Sequence, residues 1–198
     1  METLTQICQR YSASDCHTGT DKDSVHSYLP VYERLLAPYR VTAKRVLEIG
    51  ILCGASLRML EEFFATARVH GIDLCDQPLG GMVDLRPMIA EGTHHITFTD
   101  ATNAAQVKHH FGNLSFDVII EDASHALEHQ FSIYENFKQL LVWDGIYIIE
   151  DVDNLDAVRS RFEKIDPDRR VRIFDLRHVK NRFDDALVVI GGKDISAC

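Results

Sequence analysis

Two apolar runs late in the chain end in acid. FDVIIED, residues 116–122, closes on Asp122, with His125 three positions later, and GIYIIED, residues 145–151, closes on Glu150 and Asp151. If the runs are neighbouring strands, three carboxylates meet in the crevice above a sheet, which repulsion makes costly unless a cation sits among them. An all-oxygen set suits Mg²⁺, with Mn²⁺ or Ca²⁺ as alternatives, and leaves coordination positions open for water or substrate hydroxyls. A hydroxyl held there would give up its proton more readily, and His125, with an ordinary pKa of ~6.5, is placed as the base that takes it. The plainer reading makes Asp122 and Asp151 helix N-caps and His125 a surface residue of a first helical turn.

A second constellation lies in residues 45–76, RVLEIGILCGASLRMLEEFFATARVHGIDLCD. Val46, Leu47 and Ile49 read as a buried strand, Gly50 and Gly54 as a turn open to close approach by a ligand, and Ser56 as the cap of a helix through Leu57, Leu60, Phe63 and Phe64. A second strand, 69–74, carries Asp73, about 20 positions past the turn, where nucleotide-binding crossovers place a carboxylate for ribose hydroxyls. GxGxxG is absent, and Glu48 stands just before the turn. A pyrophosphate wants helix-end potential without a carboxylate nearby, whereas an ammonium or sulfonium ligand suits Glu48, so S-adenosylmethionine (SAM) fits better than NAD. The alternative is that the glycines serve packing alone. Asp100, closing a strand over 95–99, either caps the helix expected over 104–111 or accepts from an adenine amino group.

The elements that must position these groups alternate. Further strands are expected at 116–121, 141–149, 170–175 and 186–190, with helices at 127–141 and 155–165; the last two strands have no helical pattern between them and read as antiparallel partners. The whole reads as an α/β, Rossmann-like, doubly wound seven-stranded sheet with an antiparallel last strand. Residues 1–40 are expected to form an N-terminal lid segment and a helix over 31–36 with Pro30 in its first turn, and 41–198 the α/β domain, one domain overall. Within the first segment, His17, Lys22, His26 and Tyr28 could close over the site, Lys22 and Tyr28 touching SAM or its acceptor; the alternative is a solvated arm. Residues 76–93, with Pro78, Gly80, Gly81 and Pro87, read as mostly loop, and the His94-His95 and His109-His110 pairs as solvated.

The 198 residues carry a net charge of −9, which argues against a nucleic-acid partner. The cysteines, Cys8, Cys16, Cys53, Cys75 and Cys198, form no CxxC pair and read as reduced thiols. No apolar run approaches the ~18 residues of a spanning helix, and no secretory signal pattern opens the chain, so a soluble cytoplasmic protein without membrane contact is expected.

Taken together, these stretches resemble the metal-dependent sugar O-methyltransferases typified by the macrocin and mycinamicin enzymes. GTDKDSVHSYLPVYERLLAPYR resembles that family's N-terminal entry segment, VLEIGILCGAS its SAM loop, GIDL its ribose-binding strand end, FDVIIEDASHALEHQ the segment with one metal aspartate and the catalytic histidine, IIEDVD the Glu-Asp metal pair and RFDDALVVI the closing strand. The resemblance implies a class I methyltransferase fold, metal ligation by Asp122, Glu150 and Asp151, base catalysis by His125, and SAM contacts from Glu48, Gly50, Ser56, Asp73 and Asp100. The function expected is methylation of a sugar hydroxyl, on a deoxyhexose such as rhamnose in a glycan or glycoside, with Mg²⁺ or Mn²⁺; homo-oligomer formation is left open. A catechol-type O-methyltransferase and a non-catalytic SAM-binding module are the alternatives.

Overall fold

The computed structural model describes residues 1–13, 19–74, 85–92 and 94–193. His17, Cys16, Cys75, Cys198 and the loop residues Pro78, Gly80 and Gly81 lie outside them. Seven strands alternate with helices: β1 (Arg45–Ile49), β2 (Arg68–Asp73), β3 (His95–Phe98), β4 (Phe116–Glu121), β5 (Leu141–Ile149), β6 (Val171–Asp175) and β7 (Ala186–Gly191). The helices are α1 (Leu4–Cys8), α2 (Leu29–Leu36), α3 (Ala55–Phe63), α4 (Arg86–Glu91), α5 (Ala104–Phe111), α6 (Leu127–Phe137), α7 (Leu155–Ile165) and α8 (Arg177–Lys180).

The strands form one sheet in the order β3-β2-β1-β4-β5-β7-β6, with β7 antiparallel to both β5 and β6. Period-two alternation divides the core between two faces. Val46, Val118, Ile120 and Ile148 pack with residues of α1, α2 and α3, whereas Leu47, Ile119, Tyr147 and Ile149 pack with residues of α5, α6 and α7. The strand order reverses between β1 and β4, which are paired in parallel, and at such a switch point the carboxyl ends of the strands open a crevice.

Several local expectations need correction. The N-terminal segment carries a further helix besides the one expected over 31–36: Thr3 caps α1 in a capping box with Gln6, and Leu4, Ile7 and Cys8 are buried. The helix expected over 127–141 ends as α-helix at Phe137 and tightens into a 3₁₀ turn over Lys138–Leu140. The closing strands are antiparallel as expected, but the short α8 lies between them. His94 is not solvated; its side chain is 6% exposed, between Glu61 at 2.8 Å and Glu91 at 3.0 Å. Among the described residues no helix is long and apolar enough to cross a membrane.

Candidate active site

The turn after β1 brings the two constellations into contact. Gly50 has φ +88°, and a Cβ there would stand 2.1 Å from the carbonyl oxygen of Asp122, so only glycine lets the chain leaving β4 pass this close. The Asp122 N–H donates to the Ile49 carbonyl at 2.8 Å, which fixes the residue beside the turn. Asp73 holds the turn from the other side: its Oδ2 accepts from the N–H groups of Ile51 at 3.1 Å and Leu52 at 3.0 Å, and its Oδ1 from Leu74 at 2.7 Å.

Ser56 is not the helix cap. Gly54, at φ +74°, occupies that position without a side-chain bond, and a Cβ on it would meet the Met88 sulfur at 2.2 Å. Ser56 lies inside α3 and donates its hydroxyl to Glu48 Oε1. Glu48 is fully buried, and burial pushes its pKa up to about 7 against the opposing pull of Lys22 and Ser56. Among the described residues its Oε2 has no hydrogen-bond partner, a buried acceptor left open beside the glycine turn. Asp100 does not cap α5; Asn103 does, accepting from Ala105 and Gln106, while Asp100 accepts from the Thr102 hydroxyl and N–H, which hold its pKa low.

On the other side of Gly50, the N-terminal segment is neither a solvated arm nor a loose cover. It runs into the carboxyl ends of β4 and β5, and Thr20, Lys22, His26, Ser27 and Tyr28 are buried. The Lys22 side chain is 1% exposed, its ammonium 2.7 Å from Asp122 Oδ2, 2.6 Å from Glu150 Oε1 and 3.8 Å from Glu48 Oε1. Burial alone would discharge this amine; Asp122, Glu150 and Glu48 outweigh that and raise its pKa well above the usual range. Tyr28 donates its hydroxyl to Asp151 Oδ1 and Tyr32 to Glu150 Oε1. His26 stacks on Tyr28 with ring centroids 4.7 Å apart, and the Ser27 N–H donates to buried Asp185 at 3.0 Å.

His125 stands between two acids, with Nε2 3.1 Å from Asp122 Oδ1 and Nδ1 3.3 Å from Asp151 Oδ2. Burial works against its charged form, but the hydrogen bond and charge of Asp122, then Asp151, raise its pKa to about 9. Asp122 moves the other way, to about 2, because Lys22 and His125 outweigh its burial. His125 and Asp151 both adopt left-handed backbone conformations, φ +57° and +54°, as does Leu52 in the glycine turn at +44°. Such strain is retained where surrounding structure fixes it, and here it clusters at the crevice.

One ligand atom from each of Asp122, His125 and Asp151 comes within 4.8 Å of the others, and two hard carboxylates in such a group fit a Mg²⁺- or Mn²⁺-type cation. Glu150, expected as a third metal carboxylate, is placed outside that group, against Lys22 and Tyr32. Lys22 and Tyr28, expected to touch SAM or acceptor, are placed on the carboxylates. Sequence reasoning missed Tyr32, within the helix expected over 31–36, Asp185, and Glu121, whose pKa burial pushes up to about 8. An acid within an otherwise apolar strand was the available signal for Glu121.

Residues 47–152 match the methyltransferase domain family. The chain is 28% identical over 141 residues to the 8-demethyl-8-alpha-L-rhamnosyl tetracenomycin-C 2'-O-methyltransferase of Streptomyces olivaceus, covering 68% of this chain and 35% of that protein. It is 30% identical over 135 residues to the mycinamicin VI 2''-O-methyltransferase of Micromonospora griseorubida, covering 65% of this chain and 32% of that one. The chain therefore spans about a third of the length of these curated relatives. Among solved structures, the MycE methyltransferase of mycinamycin biosynthesis, in complex with Mg and SAH, superimposes with a TM-score of 0.74 at 19% identity, over 98% of this chain and 56% of that one, which establishes a shared fold. With the family match running over more than half of the sequence and centred on the strands that carry the crevice, the chain belongs to the methyltransferase domain family.

Proposed function

We propose that the chain is a SAM-dependent, divalent-cation-dependent O-methyltransferase acting on a sugar hydroxyl, on a deoxyhexose such as rhamnose within a glycoside or glycan. The observation that carries the reading is His125 held between Asp122 and Asp151, one glycine turn away from buried Glu48. The relatives named for methylating rhamnosyl and macrolide sugars, and the Mg and SAH of the MycE complex, support the acceptor class and the cofactors.

When bound, SAM supplies a methyl group already activated on sulfonium, and Mg²⁺ or Mn²⁺ supplies a Lewis acid that lowers the pKa of a sugar hydroxyl. The chain supplies the rest. Glu48 offers a buried carboxylate to the sulfonium side of the crevice, and Asp73 keeps the glycine turn in shape. Asp122 and Asp151 would hold the cation and aim the imidazole of His125, which would take the proton of the acceptor hydroxyl. Most of the rate would then come from aligning the acceptor oxygen with the methyl group. Phe183, 74% exposed two residues before Asp185, offers an aromatic face on which a sugar ring can pack.

The test is a sugar panel and a catechol panel, each read by mass for methyl gain, with SAM binding followed by calorimetry. Methyl gain on a sugar, abolished by His125→Ala and by EDTA while the variant still binds SAM, is the expected result. Transfer that survives both changes would sink the mechanism, and gain on catechols alone would move the acceptor to that class.

A further inference from the structure

Like charges converge on this crevice, and the chain answers part of that charge itself. Glu48, Asp122, Glu150 and Asp151 all lie at the carboxyl ends of β1, β4 and β5, and the Lys22 ammonium sits within 3.8 Å of three of them. It is almost wholly buried, and its two shortest contacts are of charge-assisted hydrogen-bond length. Asp122 is shared: Oδ2 faces Lys22 while Oδ1 faces His125 and the group that could hold a cation. Glu150 lies outside that group, and its Oε1 accepts from both the ammonium and the Tyr32 hydroxyl. From the same N-terminal segment, the Tyr32 hydroxyl donates to Glu150 and the Tyr28 hydroxyl to Asp151.

We infer that Lys22 is a positioning residue acting as a resident cation: it fills one of two cation positions in the carboxylate cluster, limits the site to a single exchangeable divalent ion, and weakens the hold on that ion. Removing it frees Glu150 and half of Asp122, and the cluster then binds a divalent cation more tightly or takes a second one. The inference rests on the metal reading proposed above. It predicts a gain where general damage to the site would give a loss.

The experiment is Mn²⁺ binding to the whole chain, with stoichiometry counted by electron paramagnetic resonance and affinity by calorimetry, for the wild type, Lys22→Met and Lys22→Arg. The wild type should bind one ion. Lys22→Met should bind that ion at least ~10-fold more tightly or bind two, as expected when a unit charge a few ångström away is removed from a low-dielectric site. Lys22→Arg, which keeps the charge, should stay at one ion with affinity close to wild type. A folded Lys22→Met chain that binds one ion no more tightly than wild type overturns the inference and leaves the metal reading intact; a wild type that binds no ion overturns both. Should Lys22→Met be unfolded without metal, Mn²⁺ titration followed by circular dichroism decides: recovery of the fold supports the resident-cation role, and no recovery at ~10 mM rejects it.

Discussion

The two sides of the crevice are built differently. On the glycine-turn side, the bonds made by Asp73 and Ser56 come from nearby in sequence: Asp73 holds N–H groups 21 and 22 positions back, and Ser56 reaches Glu48 across 8. On the histidine side, the bonds span the chain: 100 residues from Lys22 to Asp122, 123 from Tyr28 to Asp151, 128 from Lys22 to Glu150 and 158 from Ser27 to Asp185. A turn held by backbone donors loses one or two hydrogen bonds when a residue changes. A buried charge network loses far more, because the partner left behind keeps its charge and has no water.

The sharpest way to break this contrast is Asp122→Ala, which strips both Lys22 and His125 of a partner. It should destabilise the fold by about 3–5 kcal/mol in denaturant titration and abolish methyl transfer. A loss below ~1 kcal/mol would show that the ammonium readily finds water, and the two sides would then be alike.

The pH dependence of stability should carry the signature of the charged side. Glu48 and Glu121, raised by burial to about 7 and about 8, ionise first in the unfolded chain, near 4.5, so stability falls as pH rises through that window. His125, raised from 6.5 to about 9, stabilises while protonated and loses that contribution as pH rises from about 6.5 through about 9. Asp122, held at about 2, contributes stability above 3.8 and loses it as pH falls toward 2. The melting temperature should therefore peak near pH 4–5 and drop by about 10 °C by pH 9. A flat profile over that range would mean the buried acids are solvated.

Smaller effects belong to the turn and the rim. Asp73→Ala should raise the Kd for SAM about 10-fold, with transfer at saturating SAM within about threefold of wild type; collapse of the saturated rate would put Asp73 in the chemistry. Phe183→Ala should raise the acceptor KM by about threefold and leave the SAM Kd unchanged, as fits one stacking contact at an exposed rim. No change in KM would remove Phe183 from the acceptor surface.

The same contrast explains what could be read from sequence. Strand alternation and the glycine turn are local patterns, so the sheet, the antiparallel closing pair and the placement of Glu48, Gly50 and Asp73 around one turn were legible. Local reading still misassigned Ser56 as a cap and left Asp100 open as one, because each had a competitor nearby, Gly54 and Asn103, that backbone geometry preferred. The convergence of Asp122, His125 and Asp151 followed from two strands ending in acid. That such a cluster needs a positive charge was also legible, but that Lys22 stands there was not. Nothing in the pattern around Lys22 specifies partners 100 and 128 positions away, and Tyr32 and His94 likewise owe their roles to packing that no periodicity records.

Those long spans also bear on how the protein is made. On a ribosome, residues 20–32 emerge early, yet the carboxylates that neutralise Lys22 follow about a hundred residues later, and Asp185, which pins Ser27, comes later still. During synthesis the lysine and tyrosines of this segment must wait, hydrated and mobile, until β4, β5 and finally β7 are assembled. Closing the histidine side of the crevice is therefore a late event in the life of each chain, and a nascent polypeptide halted before β7 would carry its glycine turn without the completed charge network.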